Sequence, residues 1–245
     1  SPNIACITSV DADHLDIYGK SEELEASFKD FSKKVSDELI IRKGLPFEGK
    51  TFGIEEKADY DAQNLKIENG TYVFDVKTSK EIVKNVRLAM PGRHNVLNAL
   101  AAIGMAHSYG VTLEAVKDAL ASFKGIQRRF TYVLNSEEKV VIDDYAHHPT
   151  AINAIIDSVE EMYPGRKSLG VFQPHLYSRT QDFADGFARS LSRFDELILL
   201  DIYPAREAPI PGVNSEWLLL KVENTDKQLV SKNRLVEKVS KSEAS

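Results

Sequence analysis

The chain has 245 residues, enough for two domains with a core each. Its 42% hydrophobic and 28% charged residues are the balance of an ordinary globular chain, and a net charge of −6 argues against a general nucleic-acid or acidic-membrane surface. A lone cysteine, Cys6, excludes an internal disulfide or a cysteine-rich metal site and favours a cytoplasmic setting; no apolar run approaches the ~18–20 residues that insert in a membrane. Residues 3–10 (NIACITSV) predict a short buried strand, with Cys6 as a small hydrophobe, running into a polar loop at Asp11, Asp13 and His14. Leu24, Phe28, Phe31 and Val35 fall at helical spacing, so a helix is expected over 21–35, with Ser21 as a cap candidate. From 38 to 88 the pattern is of short strands, and Asn69-Gly70 between two alternating runs marks a hairpin. Pro91-Gly92 punctuates, then an alanine-rich buried helix is expected over 95–108 and an amphipathic one over 112–121, capped by Thr112. Gly125 and the basic pair Arg128-Arg129 mark a boundary, giving expected domains of 1–124 and 125–245. Strands over 131–134, 140–144, 169–172 and 197–201 then accompany helices over 149–162 and 179–191, which predicts an α/β fold with a mainly parallel, doubly wound sheet.

Several stretches carry chemistry. GLPFEGKT (44–51) satisfies the phosphate-loop pattern G-x-x-x-x-G-K-[ST]. A working phosphate loop needs a helix starting at its Gly-Lys-Thr, and here Gly53 and a β-type pattern follow. A polar turn between two strands is the favoured reading. His14, among Asp11, Asp13 and Asp16, follows a buried strand; it could ligate a metal or simply bond to loop backbone. Asn95 and Asn98 lie three apart, on one face of a helix start, where amides suit either a purine edge or a cap. Arg128 and Arg129 could reach a phosphate or stay solvated. Asp143, Asp144, Tyr145, His147 and His148 crowd the carboxyl end of one strand, and His175, Tyr177 and Arg179 that of another. Two polar loops on one sheet edge point to a small-molecule site. Zinc at His147, His148 and His175 is the weaker alternative, because neighbours at i and i+1 rarely converge on one ion.

The strings ITSVDADHLDIYG, MPGRHNVLNALAA, GIQRRF, DDYAHHPTAI and FQPHLYSRT, in this order, resemble the Mur ligases of peptidoglycan synthesis. The resemblance implies the later part of a central ATP-binding domain followed by an incomplete Rossmann-like C-terminal domain. It implies ATP-driven amide formation: a muramyl carboxylate takes up the γ-phosphate as an acyl phosphate, which an amine then displaces. The branch resembled most joins UDP-N-acetylmuramate to L-alanine, with ATP and Mg2+ as cofactors. By the same resemblance His14 is a magnesium ligand, Asn95 and Asn98 hold adenine, and Asp144 holds the ribose. Arg128 or Arg129 meets the γ-phosphate on domain closure. Tyr145, His147, His175 and Arg179 line the amino-acid pocket, with Arg179 on the alanine carboxylate. Many relatives carry arginine where this chain has Leu176, which leaves Arg179 more to do. The family's phosphate loop and magnesium-binding glutamate lie before the DADH segment, so the chain by itself is expected not to ligate. A non-catalytic module that binds nucleotide or amino acid is the alternative for the isolated chain.

Overall fold

A computed structural model describes residues 1–10, 21–68, 70–223 and 226–244. His14, with Asp11, Asp13 and Asp16, lies outside the described residues. The chain divides into two compact units, Ser1–Gly125 and Ile126–Ser245.

In the first unit, six strands among the described residues form one sheet in sequence order: β1 (Ile4–Ile7), β2 (Glu38–Arg42), β3 (Lys50–Ile54), β4 (Tyr60–Glu68), β5 (Thr71–Lys77) and β6 (Ile82–Leu88). The first four are mutually parallel, and β4, β5 and β6 are antiparallel. Helix α1 (Ser21–Ser32) lies between β1 and β2 in the chain. Helix α2 (Arg93–Ser108) packs on β1 to β4 through Val96, Leu100 and Ile103, and alanines on the same face allow a close approach. The limit is reached at Gly104, where a Cβ would stand 3.2 Å from Ile40 and 3.3 Å from Tyr60. Helix α3 (Leu113–Ser122) packs on β6, and the Thr112 hydroxyl accepts from the Ala115 N–H at 3.4 Å, as its capping position requires.

The β4–β5 hairpin follows the Asn69-Gly70 signal, pairing Glu68 with Thr71. Each edge of the β4–β5–β6 ribbon has an irregularity, at Asn64 and Asn85, both with left-handed backbone (φ 55° and 57°). Asp75, on the middle strand, holds both: one carboxylate oxygen accepts from the Asn85 N–H and the other from the Asn64 side chain, each at 2.9 Å. Those two bonds, the Asn85 one first, hold the Asp75 carboxyl below its ordinary pKa.

In the second unit, β7 (Thr131–Asn135) and β8 (Val140–Asp143) form an antiparallel pair, and β9 (Leu169–Phe172), β10 (Glu196–Leu199) and β11 (Lys227–Leu229) a parallel sheet in the order β11-β10-β9. Helices are α4 (Pro149–Met162), α5 (Tyr177–Asp182), α6 (Ala184–Leu191), α7 (Ser215–Lys221) and α8 (Leu235–Val239). The alternation along β10 explains its central place. Leu197 and Leu199 join Ile152, Ile156, Phe187 and Leu218 on one face, while Ile198 and Leu200 meet Val230 on the other. Gly170 on β9 lies under the Phe194 ring, where a Cβ would come within 2.5 Å of a ring carbon.

Two details differ from the sequence expectation. The single helix expected over 179–191 is two, interrupted at Phe183 (φ −109°, ψ 17°), whose ring packs against His148 at 4.6 Å. The strands of this unit also fall into two sheets among the described residues, because β8 and β9 do not pair; both line a cavity of about 800 Å3.

Candidate active site

The second unit gathers the predicted polar groups at the carboxyl ends of β8, β9 and β10; for β9 and β10 this is the edge at which a parallel sheet presents its ligand-binding groups. After β9 the chain is zipped to the segment after β10. Tyr203 N–H donates to the Pro174 carbonyl at 2.8 Å, Leu176 N–H donates to the Tyr203 carbonyl at 2.9 Å, and the His175 ring stacks on Tyr203 at 5.6 Å. Leu176 has φ 69° and ψ 138°, a conformation that costs a leucine roughly 1–3 kcal/mol. Its carbonyl is held by the N–H and hydroxyl of the fully buried Thr180, at 3.1 and 2.7 Å. This turn carries His175 and Arg179. Burial, then the charges of Arg179 and His147, lower the His175 pKa, and Glu207 opposes them. His175 is therefore neutral at pH 7, with a ring nitrogen able to accept a proton.

After β8, Asp144 accepts the Phe130 N–H at 2.7 Å, and Tyr145 N–H donates to the Arg128 carbonyl at 2.8 Å. These bonds pin the segment 128–130, in which Arg128 and Phe130 both have left-handed backbone (φ 59° and 48°). The Arg128 guanidinium lies 4.8 Å from the centre of the Tyr145 ring and 3.8 Å from Asp143, and that of Arg129 lies 6.0 Å from the same ring. Tyr145 meets the His147 ring edge-on at 5.0 Å, and His147 Nδ1–H donates to the Tyr145 carbonyl at 2.8 Å. His148 plays a different part, since its Nδ1 accepts the Thr150 N–H at 3.3 Å and caps α4. Among the described residues no group of three or more His, Cys, Asp or Glu side chains could hold a metal ion, which removes the zinc alternative at His147, His148 and His175. The cavity is lined at this end by Arg128, Asp144, Tyr145, His147, His175 and Tyr203.

Tyr203 and Glu207 were missed by sequence reasoning, which stopped at the end of the strand reaching Asp201. The available signal was positional: DIYPARE follows β10 as DDYAHH follows β8.

In the first unit, Asn95 is buried and its side-chain amide donates to the Pro91 carbonyl at 2.6 Å, while the Asn98 amide donates to Asn95 Oδ1 at 3.5 Å. The two amides share one face of the first turn of α2, as their spacing predicts. GLPFEGKT does not build a phosphate loop. Residues 44–49 form the turn between β2 and β3 that the sequence favours, and Lys50 and Thr51 open strand β3 rather than the helix a phosphate loop needs. Lys50 pairs with Glu38, and the Thr51 N–H and hydroxyl donate to Asp59 at 2.7 and 2.8 Å. The hydrogen bond to Glu38 raises the Lys50 pKa. Cys6 is chemically quiet, its thiol pushed up to about 11 by burial.

The Mur ligase middle domain pattern matches residues 1–106, and the pattern described as Mur ligase, glutamate ligase domain, matches residues 128–244. The chain belongs to the Mur ligase family. It is 56% identical to the UDP-N-acetylmuramate–L-alanine ligase of Flavobacterium johnsoniae over 99% of its length and 55% of that relative's. Among solved structures it is similar to the UDP-N-acetylmuramate-alanine ligase of Thermotoga maritima, with a TM-score of 0.76 and 28% identity over 98% of this chain and 53% of that one. The MurF of Acinetobacter baumannii shares the fold, with a TM-score of 0.75 at 19% identity over 98% of this chain and 53% of that one. The chain thus spans about half the length of the Mur ligases it matches.

Proposed function

We propose that the protein to which this chain belongs is an ATP-dependent ligase that joins the carboxylate of UDP-N-acetylmuramate to the amine of L-alanine in peptidoglycan synthesis. The observation that carries the reading is the 56% identity, along nearly the whole chain, to a relative of that name. The geometry of the second unit supports it. Amide formation needs a cation to hold the amino acid's carboxylate and a neutral base beside its ammonium group, which must shed a proton before it can attack. Arg179 and His175 supply that pair on one turn, with His147 and Tyr145 completing the pocket. Asp144, fixed at the end of β8, accepts ribose hydroxyls in this reading, and Arg128 or Arg129 meets the γ-phosphate. In the first unit Asn95 and Asn98 hold adenine, where Asn95 donates to Pro91 and turns its oxygen toward Asn98. ATP activates the muramyl carboxylate, and a magnesium ion held in part by His14 would neutralise the phosphates. The reaction belongs to the cytoplasm, where both nucleotides are available.

The test is a competition among amines. The full-length protein, given ATP and UDP-N-acetylmuramate, is expected to release phosphate with L-alanine and to form the corresponding alanyl product by mass. Phosphate release with a peptide amine and none with L-alanine would assign the protein to a sibling activity.

A further inference from the structure

We propose that Glu207 is a positioning residue for the ligation site: its carboxylate holds the first turn of α5 and, through that turn, sets His175 and Arg179 for the amino-acid substrate. The inference rests on the reading of the pocket given above, and adds a residue that touches no substrate. Glu207 Oε2 accepts the Ser178 N–H at 3.0 Å and Oε1 accepts the Ser178 hydroxyl at 2.5 Å. The Tyr177 N–H also helps to hold this carboxylate charged. Two donors of Ser178 therefore converge on one carboxylate at the start of a helix, where the Ser178 N–H has no partner within the helix. Burial alone would raise the Glu207 pKa, but the Ser178 bonds outweigh it and the group is held below its ordinary value, as an anion.

The segment that bears Glu207 is itself braced. Glu207 N–H donates to the Pro204 carbonyl at 2.9 Å across a turn whose Ala205 has φ 51°, and Tyr203 makes both backbone bonds to residues 174 and 176. The two loops thus meet at both ends of a short span, at Tyr203 by backbone pairing and at Glu207 by the carboxylate. Between those clamps lie His175, the strained Leu176 and the start of α5, with Arg179 one residue beyond the anchored Ser178. Without the second clamp the turn would be free to relax at Leu176, and the guanidinium would lose its fixed position relative to the imidazole.

The full-length enzyme carries the test. Glu207→Ala is expected to raise the KM for L-alanine about tenfold or more while the KM for ATP stays within about twofold. Glu207→Gln, which keeps a carbonyl oxygen for the Ser178 donors, should recover most of that loss. An unchanged KM for L-alanine in Glu207→Ala, or an equal rise in the KM of all three substrates, would overturn the proposal. A second readout needs no substrate. Hydrogen exchange at the Tyr177 and Ser178 amides should quicken at least about tenfold in Glu207→Ala while amides of β10 keep their protection; unchanged exchange at Tyr177 and Ser178 would equally overturn it. If the wild-type enzyme makes no alanyl product, the exchange arm still decides whether Glu207 holds the turn, and the assignment of L-alanine fails separately.

Discussion

Arg179 and His175 share one turn, and burial with nearby positive charge keeps the His175 imidazole neutral at pH 7. Replacing Arg179 with alanine should cost about a hundredfold in kcat/KM for L-alanine, and lysine should restore only part of it, because a point charge lacks the planar two-pronged match to a carboxylate. With burial, then Arg179 and His147, pressing its pKa down and Glu207 opposing them, the acid limb of the rate should fall below pH 6.5; an inflection well above that would remove His175 as the group that accepts the proton. Lys50 behaves otherwise. From strand β3 it pairs with Glu38 of β2, so Lys50→Ala in the full-length enzyme should leave the KM for ATP within about twofold, and a hundredfold loss would contradict its placement. The site residues at 143–148 and 175–179 were legible because polar and ionisable groups cluster directly after a strand in both places. Glu207 was not, since its partner is 29 residues away and no spacing rule links the two.

At the scale of elements, the strongly patterned pieces emerged where the sequence places them: α4 over 149–162, α2 from the alanine-rich run, and the hairpin at Asn69-Gly70. The elements not anticipated were short, such as α7 and α8, whose seven and five residues give too few turns for a periodic signal. The break at Phe183 was invisible because no glycine or proline marks it; the Phe183 ring there packs against His148, a contact 35 residues back that no local spacing signals. Two substitutions probe the packing. Gly170→Ala places a Cβ against the Phe194 ring and should destabilise the second unit by about 1–3 kcal/mol in chemical denaturation. Asp75→Ala should cost about 1–2 kcal/mol at pH 7, since it leaves the Asn64 and Asn85 donors without their carboxylate. The sign with pH follows from the lowered pKa: this contribution is complete above the unfolded value near ~4 and fades as pH falls through the folded value. The gap between wild type and Asp75→Ala should therefore narrow as the solution is made acid, and a gap that did not narrow would contradict the role of the charge.

At the scale of the molecule, the first unit offers a sheet and helix α2 with paired amides, and the second a pocket of cation, imidazole and aromatic groups at the ends of β8 to β10. In the proposed reaction, which brings a nucleotide, a carboxylate and an amine together, each would have its own part; the chain spans about half the length of the relatives that it matches. The most direct test of that division of labour is product formation by the full-length protein from ATP, UDP-N-acetylmuramate and isotopically labelled L-alanine, followed by mass spectrometry. One labelled alanyl product is expected for each phosphate released, abolished with Arg179→Ala at low L-alanine and restored in part as L-alanine is raised. Phosphate release that L-alanine does not stimulate, with no labelled product, would contradict it.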